Sequence, residues 1–187
     1  MKTVFFQAHS AANRHRAFTL LELLVVLVII AIIATMLLPA YAAYIARVEE
    51  ARCIANLKNL YVAASGYLQS NGSWPQIPVS LLKDNDKLYA KSWVNALTPF
   101  GAPHNVWLCP TMQRTMTYSM DAADKDENYR IDFIATPFDE NPLTPRLANT
   151  HPWFIEKTGL HSRGNLVILA NGTTTSLQDI TGIQPGK

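Results

Sequence analysis

The sequence predicts an α+β protein in which one long N-terminal helix packs on a small antiparallel β-sheet, and three observations predict it. Residues 18–38 form an apolar run broken by a single charge, Glu22. Apolar residues then keep a helical spacing to about residue 70. Beyond that point short β-favouring segments alternate with turn formers, and an Asn-Gly pair separates two of them.

The apolar run is long enough to cross a hydrocarbon core of about 30 Å as a helix. No second run approaches its length, so the chain is predicted to pass a membrane once. Lys2, Arg14 and Arg16 precede it and no acid does, which predicts a cytoplasmic N-terminus and an exported C-terminal domain, periplasmic if the span sits in an inner membrane. The alternative is a secretory signal cut after Ala40 or Ala43. Against it, the run exceeds the usual signal h-region, and Pro39-Ala40-Tyr41-Ala42-Ala43-Tyr44 continues in a helical pattern. Lys and Arg total 16 against 14 Asp and Glu, and the basic excess belongs to the residues ahead of the span. No clustered basic face is left to recommend a nucleic-acid partner.

Past the span, Ile45, Val48, Ile54, Leu57, Tyr61, Ala64 and Leu68 recur at helical steps, with Arg47, Glu49, Glu50, Arg52 and Lys58 between them. The helix is predicted to stop at Ser70-Asn71-Gly72-Ser73, a run of turn formers. About 50 residues at 1.5 Å each give roughly 75 Å of helix. The remaining residues suffice for one modest core. Within them, residues 115–120, 129–134 and 166–170 have strand composition, and Asn171-Gly172 between residues 166–170 and 173–177 predicts a hairpin with a tight I′ turn.

A carboxylate within a span costs about 3 kcal/mol on insertion scales, so Glu22 calls for a partner or a task. Cleavage between Ala17 and Phe18 would supply the partner. The new α-amino group of Phe18 is cationic near neutral pH and lies at i and i+4 from Glu22, in its own chain or, across an assembly, in a neighbour's. The simpler account is a carboxylate near the interface that snorkels to water.

Arg16-Ala17-Phe18-Thr19-Leu20-Leu21-Glu22 before an apolar helix resembles the processing site of type IV pilins and type II secretion pseudopilins. The resemblance implies that prepilin peptidase removes the leader, residues 1–17, and methylates Phe18. It makes Glu22 the assembly glutamate and places Pro39 where many members carry a helix-loosening proline. Ala17 departs from the glycine usual before the cut. The implied organisation is leader 1–17, transmembrane helix 18–40, amphipathic continuation 41–71 and exported α+β domain 72–187, pilin-like in fold. The implied partners are prepilin peptidase, other pilin or pseudopilin subunits and an inner-membrane assembly platform.

Further in, Arg52-Cys53-Ile54-Ala55-Asn56-Leu57, Trp93 with Leu97-Thr98-Pro99-Phe100, Leu108-Cys109-Pro110 and Thr117-Tyr118-Ser119-Met120 resemble a pseudopilin-like subfamily abundant in planctomycete and verrucomicrobial bacteria. Its C-terminal signature is His, nine residues, then Asp-Gly. Here His161 is followed at that spacing by Asn171-Gly172, so an amide replaces the acid.

Cys53 and Cys109 are the only cysteines. Export permits a disulfide between them, contributing about 2–4 kcal/mol; the alternative is two small buried apolar side chains. Some pseudopilins bind calcium, and Asp121, Asp124 and Asp126 are weak candidate ligands. An EF-hand beginning at Asp124 would need Gly at Tyr129 and Glu at Ala135, so a solvated polar loop fits better and no metal or other cofactor is expected. His104, His151 and His161 with Ser162 are the enzyme candidates, but no nucleophile elbow, metal-ligand spacing or phosphate loop accompanies them, so no enzyme is expected. His161 reads as a hydrogen-bonding residue near the hairpin, and His151-Pro152-Trp153 as a turn. The expected function is a structural filament subunit. The alternative is a membrane-anchored binding module, for instance one capturing glycans on its tryptophans.

Overall fold

The computed structural model describes residues 19–116, 129–147 and 149–182. The fold is a long helix followed by a small four-stranded antiparallel sheet, with short helices between them. Helix α1 runs Leu20–Asn71, and Gly72 follows at φ 70°, its N–H bonded to the Leu68 carbonyl at 3.1 Å. The chain divides into two compact units between Ala42 and Ala43. In the first, the α1 side chains are exposed, including Leu24, Ile29, Ile33 and Leu38, and Pro39 lies inside the helix. Among the described residues α1 is the one helix long and apolar enough to cross a membrane, by virtue of an 18-residue stretch with a mean hydropathy of 3.0.

In the second unit α1 is amphipathic. Cys53, Leu57, Leu60, Ala63, Ala64 and Leu68 are buried, while Ile54 and Tyr61 are half-buried. Glu49, expected among the solvated charges, is only 8% exposed, because Arg114 holds it at 2.8 Å.

Two helices follow, α2 (Leu81–Asp84) and α3 (Asp86–Leu97). Asn85 caps α3 by accepting the Leu88 N–H at 3.0 Å, and Tyr89, Ala90, Trp93, Val94 and Leu97 form its buried face. Helix α4 spans Pro110–Met116, so Thr115 and Met116 are helical where a strand was expected; the other residues of that segment, 117–120, lie outside the described residues. Proline at the first helical position favours this start, having no N–H to leave unpaired.

The sheet is a meander in the order β1 (Phe133–Ala135), β2 (Pro152–Glu156), β3 (Leu166–Leu169) and β4 (Thr174–Ser176). The strand expected over 129–134 begins only at Phe133. Pro152 opens a strand rather than a turn, as a proline can at a first strand position, and the register slips between Pro152 and Phe154. All four β3 side chains are buried, which its unbroken apolar run requires. The β3–β4 hairpin forms, but not through a two-residue I′ turn. The Gly172 N–H reaches the Leu169 carbonyl at 2.8 Å and the Leu169 N–H the Thr173 carbonyl at 2.9 Å. Ala170 and Asn171 are therefore the central pair, with Gly172 at φ 78° as the left-handed third residue of the loop. Helix α5 (Leu177–Thr181) follows directly, started by a capping box between Ser176 and Asp179.

Trp74, Trp93, Trp107 and Trp153 are all at most 1% exposed and interlock with Phe154 at centroid separations of 5.0–6.3 Å. Tyr61 joins α1 to this cluster, its ring 4.8 Å from Trp153 and its hydroxyl donating to the Ala170 carbonyl at 3.1 Å. The indoles are core, and none offers a surface platform for a glycan.

Candidate functional site: the processing segment and a buried cysteine centre

Two places carry the residues singled out from the sequence. At the first, Ala17 and Phe18 lie outside the described residues, which begin at Thr19. Thr19 and Glu22 cap the start of α1 reciprocally. The Glu22 N–H donates to Thr19 Oγ1 at 3.2 Å, while Glu22 Oε2 accepts from the Thr19 N–H at 3.3 Å and from its hydroxyl at 3.2 Å. Thr-x-x-Glu ahead of an apolar run is a capping-box pattern, so Thr19 was findable from the sequence. Glu22 thus has a partner within its own first turn, and its charge lies where the helix dipole favours an anion.

At the second, Cys53 of α1 is disulfide-bonded to Cys109, their Cα atoms 5.3 Å apart. Cys109 immediately precedes α4, and its N–H donates to Asp132 Oδ2 at 2.8 Å. Burial pushes the Asp132 carboxyl above its ordinary range, opposed by that N–H and by the Arg130 guanidinium at 3.1 Å. Burial likewise lowers the Lys157 ammonium, with Asp132 acting against the shift.

His161 does not serve the hairpin that carries Asn171 and Gly172. It lies in the β2–β3 connection, buried, with Nε2 3.5 Å from Cys109 Sγ and 3.1 Å from Glu156 Oε1. Glu156, the last residue of β2, is 1% exposed and was not foreseen. Its Oε2 accepts the Leu166 N–H at 3.1 Å. Its strand position gave the signal, a lone acid ending Trp153-Phe154-Ile155. Asn171 instead accepts the Thr173 N–H at 2.9 Å inside the turn, a bond that needs a side-chain oxygen and no charge.

The other candidates do not join this centre. His104 stacks on Tyr129 at 4.1 Å and bonds the Arg130 carbonyl at 2.7 Å, His151 packs on Phe138, and Ser162 is exposed. Asp121, Asp124 and Asp126 lie outside the described residues.

Comparison with curated proteins and with solved structures found no match. A family described as the prokaryotic N-terminal methylation motif matches residues 12–38, spanning Ala17, Phe18, Glu22 and the whole of the apolar run. Followed by the amphipathic half of α1 and a four-stranded antiparallel sheet, that match supports kinship with type IV pilin-like and pseudopilin precursors, the kind processed by prepilin peptidase.

Proposed function

We propose that the protein is a structural rather than catalytic subunit, built into a type II secretion pseudopilus or a type IV pilus-like filament after its leader is removed. The observation that carries this reading is a methylation motif running directly into a helix whose large apolar side chains are 43–84% exposed between Leu20 and Leu38. Such a surface needs a covering. A bilayer supplies it before assembly, and side-by-side packing of like helices supplies it afterwards. In this account the precursor is an inner-membrane protein with its N-terminus cytoplasmic and its sheet domain outside. An assembly platform draws it from the bilayer, and the Phe18 amine of the mature chain meets a Glu22 carboxylate, which fixes axial register.

The experiment is Glu22→Ala in the native host, with N-terminal mass spectrometry of the membrane pool and immunoblotting of sheared filaments. We expect a chain beginning at methylated Phe18 in both strains, and loss of the variant from filaments. A variant that assembles normally refutes the pairing. A wild-type chain recovered with residues 1–17 attached refutes the whole reading. A processed wild-type chain never found in filaments favours the anchored binding module instead.

A further inference from the structure

We propose that Cys53, Cys109, Glu156 and His161 form a zinc site in the reduced protein, so that a disulfide and a metal ion are alternative occupants of one buried centre. One ligand atom from each of the four side chains lies within 4.8 Å of every other, and all four residues are buried. Two thiolates, an imidazole and a carboxylate are a donor set that suits tetrahedral zinc. Zinc bonds of about 2.0–2.3 Å place tetrahedral ligand atoms about 3.3–3.8 Å apart. The His161 Nε2 distances to Glu156 Oε1 and Cys109 Sγ, 3.1 and 3.5 Å, are already close to that. The sulfurs are the atoms that must part, and breaking their bond is what allows it.

A second observation concerns Glu156. Its Oε1 atom is buried and has no hydrogen-bond partner, because the His161 contact has the distance of an ion pair without the alignment of a hydrogen bond. An unsatisfied buried carboxylate oxygen is costly, and here it faces the imidazole and the sulfurs. A cation among the four ligands would satisfy it. The support is also in place: the Leu166 N–H fixes the other carboxylate oxygen, Asn165 donates to the Glu156 carbonyl at 2.8 Å, and Asp132 holds the Cys109 backbone. Of the four, His161 also lines a cavity of about 340 Å³, together with Thr111 and Glu50.

The chemistry balances with a dithiol as reductant. Thiol–disulfide exchange delivers two electrons and two protons to the Cys53–Cys109 bond, giving two thiols here and a disulfide on the donor. Zinc then replaces the two thiol protons, which leave to solvent. Nothing in this depends on filament assembly, so the two proposals fail separately.

The test uses the full chain in detergent micelles, oxidised or reduced with a phosphine and desalted without oxygen. Each form receives zinc chloride, is desalted again and is analysed for metal by mass spectrometry and for coordination by X-ray absorption. We expect one zinc per reduced chain, none retained by the oxidised chain, and two sulfur with two nitrogen or oxygen neighbours at about 2.3 and 2.0–2.1 Å. Glu156→Gln and His161→Ala should each weaken binding by about 10- to 100-fold or more. The proposal is overturned if the reduced chain retains no zinc, if the oxidised chain binds equally, or if the bound ion has no sulfur neighbours. It is also overturned if both variants bind like wild type. Should a variant not fold, the wild-type absorption spectrum decides.

Discussion

Reducing the Cys53–Cys109 bond in the presence of a chelator opens a loop closed across 56 residues, and the cost follows from chain entropy. Loop closure of that length removes about 14 cal/mol/K from the unfolded chain, or about 4 kcal/mol at 25 °C, the upper end of what native disulfides contribute. Both cysteines are fully buried, so reduction exchanges a bond for two thiols without deleting core atoms. The loop carries α1 from Cys53 to its end at Asn71, all of α2 and α3, and three of the four core tryptophans. All four tryptophans belong to the unit beginning at Ala43, so their fluorescence reports its unfolding without interference from the apolar half of α1. With a urea m-value of about 2 kcal/mol/M, the reduced protein should unfold at a midpoint about 2 M lower. Coincident midpoints, or a mass that does not rise by two protons on reduction, would refute the argument.

Gly172→Ala should destabilise the protein by about 1–2 kcal/mol, since an L residue is strained at φ 78° and its Cβ would stand 3.2 Å from Tyr61 Cε1; an unchanged melting curve contradicts this. Arg114→Ala should cost about 1–3 kcal/mol by leaving the buried Glu49 carboxylate without the two bonds at 2.8 and 3.0 Å that Arg114 gives it, and Glu49→Ala in the same chain should recover part of the loss in a double-mutant cycle. Asp132 supplies a pH signature. Its carboxyl is raised in the folded state, so its contribution is fully present below pH 3.8 and is lost as pH rises through the folded value. Urea midpoints of wild type should therefore fall relative to Asp132→Asn as pH is taken upward from about 4, and the opposite slope would show that burial does not dominate there.

The parts legible in the sequence were those written as long patterns. The apolar run, its continuation through Leu57, Ala64 and Leu68, and the Ser70-Asn71-Gly72-Ser73 stop gave α1, and the β3–β4 hairpin was announced by Asn171-Gly172. Helix α3 carried a readable signal, Asn85 as cap and Tyr89, Trp93 and Leu97 four apart, but it was hidden by the proline and aromatic content of its neighbourhood. Residues 115 and 116 have β-favouring composition, which lost to the proline at the start of α4 and to the Arg114–Glu49 contact. Strand β2 begins on a proline and ends on an acid, features that belong to a loop unless the acid is buried. That burial depends on His161, Leu166 and Cys109 arriving from elsewhere in the chain, as no local pattern can reveal. The cysteine pairing was open from sequence alone, and only the fold brings both sulfurs to the same imidazole.

The reciprocal bonds between Thr19 and Glu22 lie wholly on the C-terminal side of the proposed cut between Ala17 and Phe18. Under that proposal, removal of residues 1–17 would take none of these bonds away. The first turn of α1 would thus be secured by residues that stay, and proteolysis would create a new charged end without unravelling the helix it exposes.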